Sequence, residues 1–244
     1  MERVTYQAPL ADQIYDIVLE AICSGKHAIG ERLSQEQIAQ NLNVSRQPVL
    51  QALGLLKSQG FLCNAGRRGL MVAPLEMEFV LDLYEYRAAI DLLAAGKAAR
   101  RCTPELAKLG QRFLEQGGAA KKAGSLIKLS VADMAFHEWV YLVAGNRLVI
   151  DTMNHFWNHT RRVMCVILSM DGEWPDRAWK EHKAIYSAIV AGNGELAEHL
   201  ASAHVEKASE SLRGRLKDRL QNATSEVGRV RRARRSGDSW KVNV

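Results

Sequence analysis

No C-x-x-C pair joins any of the four cysteines, Cys23, Cys63, Cys102 and Cys165, which lie scattered along 244 residues. Such spacing speaks against a thiolate zinc site or a disulfide frame and fits reduced, mostly buried thiols. The longest strongly apolar run, VMCVILSM at residues 163–170, is too short to span a bilayer. The first residues lack the apolar stretch of a signal peptide, so a cytoplasmic protein with no membrane partner is expected. Neither a nucleophile elbow nor a phosphate-binding glycine loop is present. In HEWVY, Tyr141 stands where the zinc-protease motif H-E-x-x-H needs its second histidine, which leaves Glu138 without an established role as a base.

Positive charge is also missing from most of the chain, although the net charge is +6. From Arg213 onward there are ten Lys/Arg against three Asp/Glu, so everything before that point sits at −1. The basicity belongs to the tail, where residues 221–244 have few apolar side chains and read as a disordered extension able to touch nucleic acid non-specifically. A claim of specific DNA binding therefore has to rest on motif geometry. The length and the 47% hydrophobic content suit two ordinary domains.

The N-terminal part supplies that geometry. Ile14, Ile17, Val18, Ala21 and Ile22 recur at helical spacing, and Gly25 ends the helix. Ser34 is placed to cap a short helix through Ile38, Ala39 and Leu42. Asn43 follows, a residue that tolerates the left-handed conformation of a tight turn. Ser45 caps the next helix, which accepts Pro48 in its first turn and buries Val49, Ala52, Leu53 and Leu56. Two short helices joined in this way form a helix-turn-helix. On the outward face, Arg46, Gln47, Leu50 and Gln51, with Ser45 at the helix start, are the positions expected to reach a major groove. Beyond Gly60, FLCNAGRRGLMVAP reads as two short strands, Phe61–Cys63 and Leu70–Val72, around a tip carrying Arg67 and Arg68. Arginines on such a wing suit a phosphate backbone or a narrow minor groove.

Over residues 8–75 the chain resembles the winged helix-turn-helix of the GntR family of bacterial transcription regulators. The resemblance rests on AIGERLSQEQIAQNLNVSRQPVLQALGLLKSQGFL, with Gly30, Leu33, Ser34, Ala39, Val44, Ser45, Arg46, Pro48, Val49 and Gly60 among the matching positions. Two departures stand out. Leu50 and Gln51 replace the family's usual Arg-Glu pair, and Glu36 stands where an arginine is common. The family's usual operator sequence is not expected to carry over, and Leu50 is suited to packing on a thymine methyl.

From Pro74 to about Leu220 there is no period-2 alternation, only helical stripes broken at CTPEL, GGAAKKAGS, AGNRL, DGEWPD and AGNGEL. About six helices follow from those breaks. Asp133 and His137 stand at i, i+4 and share one helix face, where they would either hydrogen-bond each other or ligate a metal. His182 and His204, 22 residues apart, would complete an Asp/His/His/His set of a kind that suits Zn²⁺, Ni²⁺, Mn²⁺ or Fe²⁺. Spacing alone leaves both readings open. A second i, i+4 pair, His155 and His159, with Arg162 on the same face, is either a pocket wall or a partly exposed helix face. His27 and His199 read as surface residues.

This half, residues 77–215, resembles the FCD ligand-binding domain that accompanies the GntR helix-turn-helix in the FadR-like subfamily. The matching stretches are YEYRAAID, the D-x-x-F-H motif at Asp133–His137, AGN ending at Asn146, EHKAIYSAIVAGN and HLASAH. The resemblance implies that Asp133, His137, His182 and His204 hold a divalent metal ion, with Arg87 closing over a small carboxylate effector. His159 and Arg162 are further candidate effector contacts. The expected protein is mostly α: a winged helix-turn-helix followed by an all-α helical-bundle effector domain. It would act as a homodimeric repressor on a pseudo-palindromic operator in double-stranded DNA. Two alternatives stand beside this reading: a metal-dependent hydrolase using the same four residues, and a DNA-binding protein whose metal is purely structural.

Overall fold

The computed structural model describes residues 8–66, 69–168 and 174–235. Arg67 and Arg68 at the wing tip, and residues 236–244 of the tail, lie outside the described residues.

Helix α1 (Leu10–Cys23) buries Ile14, Val18, Leu19 and Ile22. These side chains meet Val49, Ala52, Leu53 and Leu56 of α3 (Arg46–Ser58) in one apolar core. Burying each large side chain of that core stabilises the fold by roughly 1.5–3 kcal/mol before entropy is counted. Between them α2 (Gln35–Asn41) starts at Ser34, whose side chain accepts from the Gln37 N–H. Asn43 turns the chain with φ 52°, as its place between two helices requires. Ser45 occupies the N-cap of α3 without a side-chain capping bond. Strands β2 (Leu62–Asn64) and β3 (Leu70–Val72) form the wing, and a two-residue strand β1 (Arg32–Leu33) pairs antiparallel with β3, giving the order β1-β3-β2.

The remainder is helical: α4 (Met77–Ala99), α5 (Pro104–Lys122), α6 (Leu126–Ala144), α7 (Arg147–Leu168), α8 (Trp174–Val190) and α9 (Gly194–Arg235). Each break has a local cause. Thr103 accepts from Leu106 N and places Pro104 in the first turn of α5, where its missing N–H costs nothing. Ser125 accepts from Lys128 N to start α6, and Gly145 ends it with φ 60°. Two glycines of α5 admit the large rings of the bundle. A Cβ at Gly110 would fall 2.5 Å from the Trp139 ring, and one at Gly117 only 1.4 Å from Trp179 Cζ2. Both indoles donate back to α5, Trp139 to Leu106 O at 2.8 Å and Trp179 to Leu114 O at 3.1 Å.

Helix α9 continues through residues 221–235, the first part of the basic tail whose composition suggests disorder. Its arginines are good helix formers and no proline interrupts it. Cys23 is buried and the other three cysteines are half-buried, all as free thiols. Among the described residues no helix is long and apolar enough to cross a membrane.

Candidate metal centre and nucleic-acid interface

Four ionisable side chains from three helices converge in the middle of the bundle. Asp133 and His137 come from α6, His182 from α8 and His204 from α9, and all four are buried. One donor atom from each lies within 4.8 Å of the other three. His182 Nε2 is 3.2 Å from His204 Nε2 and 3.4 Å from Asp133 Oδ1. Apolar rings hold this geometry: Phe136 stacks on His182 at 4.4 Å, and Trp179, seated over Gly117, meets the same imidazole edge-on at 4.9 Å.

The outer nitrogens of two ligand candidates are already engaged. His204 Nδ1 donates to Glu181 Oε2 at 2.7 Å, and Lys207 donates to the other Glu181 oxygen. His137 Nδ1 lies 3.1 Å from Asp91 Oδ2. These contacts fix each ring and leave its Nε2 to face the cluster. His137 Nε2 and Asp133 Oδ1 are buried and have no hydrogen-bond partner among the described residues. Buried polar atoms are seldom left so. A set of three imidazoles and one carboxylate with inward lone pairs fits a divalent cation.

Electrostatics favour the neutral, ligating form of His137 and His182. Burial, helped by the charge on Arg87, holds His137 below its ordinary value of 6.5 in spite of Asp91. His182 is held well below 6.5 by burial and by the neighbouring His204, His137 and Arg87. His159, buried elsewhere, is lowered in the same direction. Their folded pKa values therefore lie beneath their unfolded ones. As pH falls through 6.5, the unfolded chain takes up protons that the folded chain refuses, and stability present above that pH is lost. Chelator-treated protein is thus expected to melt at a steady temperature from pH 8 to 7 and at progressively lower temperatures from 6.5 to 5. A flat profile across that window would contradict the neutral-imidazole assignment.

Beside the cluster lies a cationic wall. Arg87 on α4 is buried, with its Nε 3.7 Å from Asp91 Oδ2 on the next turn. Tyr141 donates its hydroxyl proton to the other Asp91 oxygen. Burial works against the Asp91 charge, but His137 and Arg87 outweigh it and keep the carboxyl below its usual value. Arg87 Nη2 and the Tyr84 hydroxyl have no partner among the described residues, and burial pushes Tyr84 up to about 12, so it remains a proton donor. Unused donors next to a candidate cation site would suit an anion. Sequence reasoning picked out Arg87 and passed over Tyr84, Asp91 and Glu181. The i, i+4 spacing of Arg87 and Asp91 and the adjacency of Glu181 to His182 were the available signals.

His159 and Arg162 are not brought to this cluster. Their face of α7 turns instead to the helix-turn-helix. His159 Nε2 is 3.0 Å from Gln59 O, and its ring stacks on Phe61 at 4.2 Å. Arg162 is buried and donates to Ala73 O, while its neighbour Arg161 pairs with Glu20 of α1. The i, i+3 spacing put His159 and Arg162 on one face, and only the packing shows which neighbour that face meets. Glu138 likewise points away from the cluster and accepts the Trp157 indole N–H.

In the winged half Ser45, Arg46, Gln47, Leu50 and Gln51 are all exposed along the first turns of α3. Leu50 is 51% accessible, a large apolar side chain with nothing over it. Arg46 is not isolated: its guanidinium donates to Glu36 on α2, and its backbone carbonyl accepts from Gln35 Nε2 at 3.1 Å.

Comparison with known proteins matches both halves. Residues 10–72 match the family described as bacterial regulatory proteins, gntR family, and residues 82–207 match the FCD domain. The HTH-type transcriptional repressor RspR of Escherichia coli K12 is 29% identical over 206 residues, 84% of this chain and 90% of that protein. The Nta operon transcriptional regulator of Aminobacter aminovorans is 29% identical over 182 residues, 73% and 82% of the two chains. Among solved structures, Escherichia coli McbR/YncC superposes with a TM-score of 0.74 at 18% identity, covering 86% of this chain and all of that one, a likeness of fold.

Proposed function

The chain belongs to the gntR family of bacterial regulatory proteins that carry an FCD domain, and we propose that it is a repressor whose operator affinity is set by a small carboxylate bound at a metal centre in the helical half. It is a DNA-binding transcriptional regulator and not an enzyme. The observation that carries the finer reading is the coincidence of two buried polar groups: ligand atoms of Asp133, His137, His182 and His204 within 4.8 Å of one another, and the Arg87 Nη2 and Tyr84 hydroxyl donors, which have no hydrogen-bond partner among the described residues.

A divalent ion held by the four residues would supply open positions for carboxylate oxygens. The chain's own groups do the rest. Arg87 offers a planar fork to the carboxylate, Tyr84 adds a neutral donor, and Asp91 holds both Arg87 and His137 in register. Phe136 and Trp179 pack their rings against His182. Occupancy changes DNA affinity only if the acid binds one arrangement of the two halves better than another. Helix α7 is placed to carry that preference, because His159, Arg161 and Arg162 grip Gln59, Glu20 and Ala73 of the winged half. Reading DNA as a homodimer on a pseudo-palindrome follows from the few base pairs that one α3 spans.

The test is a titration of promoter-region DNA by fluorescence anisotropy with metal-loaded protein and a panel of two- to six-carbon carboxylic acids. One class of acid is expected to shift the DNA affinity severalfold, and chelation should abolish the shift while leaving basal binding. A DNA affinity indifferent to every acid, with metal bound and folding intact, would leave the purely structural metal as the better reading.

A further inference from the structure

The first residue of the helix that faces DNA is held from two directions. Glu36, in the first turn of α2, accepts from Arg46 Nη2, and Gln35 beside it donates to the Arg46 carbonyl. Both charged side chains are more than half exposed, at 66% for Arg46 and 56% for Glu36. An ion pair in that setting adds little to folding stability. Its carboxylate also sits on the surface that would approach phosphates, where it lowers affinity for every DNA sequence alike. What the pair does change is the freedom of Arg46.

We propose that Glu36 is a positioning residue for base readout: by occupying one edge of the Arg46 guanidinium it presents the remaining donors to the O6 and N7 of a guanine. This rests on the reading of α3 as the DNA-contacting helix. A guanidinium is a planar fork of five donors, so engagement of Nη2 by Glu36 leaves a second pair of N–H groups aligned in the same plane. An arginine fixed before DNA arrives loses less rotamer freedom on binding guanine, and it is kept from swinging to a phosphate, which every sequence offers. Leu50, one turn further along α3, has no donor or acceptor and stands exposed. Beside a guanine-reading arginine it would select the methyl of a nearby thymine. The half-site recognised by this chain therefore carries a guanine with a thymine close by.

The experiment uses the full-length protein and duplexes enriched by selection from a randomised pool. Wild type, Glu36→Gln, Arg46→Ala and the double variant are compared on the selected site and on copies with the guanine changed to adenine or the thymine changed to deoxyuracil, at two salt concentrations. Both residues are exposed, so unchanged circular dichroism and melting serve as the folding control. Glu36→Gln is expected to cut discrimination for guanine about three- to tenfold while non-specific binding stays level or tightens. In the Arg46→Ala background the same change should do nothing further, and the deoxyuracil duplex should bind wild type more weakly. Discrimination unchanged in Glu36→Gln, or a loss that persists without Arg46, overturns the positioning role. An Arg46→Ala protein that keeps full base preference instead overturns the reading of α3 itself.

Discussion

An Asp133→Ala protein is expected to purify without its divalent metal and to bind DNA with an affinity that no longer responds to any acid. Asp133 is the only anionic member of the four and its buried Oδ1 has no hydrogen-bond partner among the described residues, so its removal leaves three imidazoles to hold a dication. Loss of a partner that merely supports a ligand weakens metal sites about 10- to 100-fold. Removal of a ligand should exceed the upper figure. Metal content by mass spectrometry and the rise in melting temperature on adding metal give the readout. At a hundredfold excess of metal over its dissociation constant that rise corresponds to about 2.7 kcal/mol in the wild type, and it should vanish in the variant. Basal DNA binding is expected to survive, since the core around Val49, Leu53 and Leu56 shares no side chain with the centre. Metal retained after loss of both His182 and His204 would sink the site assignment.

How much of this was readable in advance varied with the physics of each element. The turn between α2 and α3 was legible because a cap at Ser34 and a left-handed residue at Asn43 are local requirements, and the buried face of α3 follows from helical period alone. Strand β1 was not, since two residues carry no periodicity and its existence depends on pairing with β3, 37 or more positions away. The six helices of the second half announced themselves through their caps and breaks. Within the centre, Asp133 and His137 were visible as neighbours on one helix, while His182 and His204 completed a candidate set that spacing alone left open and resemblance to a family then favoured. The orientation of α7 was invisible, because a sequence gives a helix face but not its neighbour. His159 and Arg162 consequently read as pocket residues, whereas the structure engages them with Gln59, Phe61 and Ala73.

Two carboxylates that ligate nothing offer the sharpest separation of roles. Asp91→Asn and Glu181→Gln each take charge from the outer nitrogen of one ligand candidate, His137 in the first case and His204 in the second. Both variants are expected to weaken metal binding about 10- to 100-fold, because the supporting carboxylate raises the basicity of the imidazole it touches. Their effects on folding should diverge. Asp91 is buried and also balances Arg87, so Asp91→Asn leaves a buried guanidinium without its counter-charge, a loss of about 3–5 kcal/mol when an ion pair of this kind is broken from one side. Glu181 keeps contact with solvent and its other partner, Lys207, is exposed, so Glu181→Gln should cost under about 1 kcal/mol. Urea melts of the chelated proteins measure the difference without interference from the metal. Equal destabilisation by the two variants would mean that Arg87 does not depend on Asp91, and the anion site would then have to be drawn with Arg87 held by something else. A large loss of stability in Asp91→Asn alone, with both variants impaired in metal binding, is what a shared Arg87–Asp91–His137 chain requires, since it ties the proposed effector arginine and the proposed metal-ligating histidine to one carboxylate.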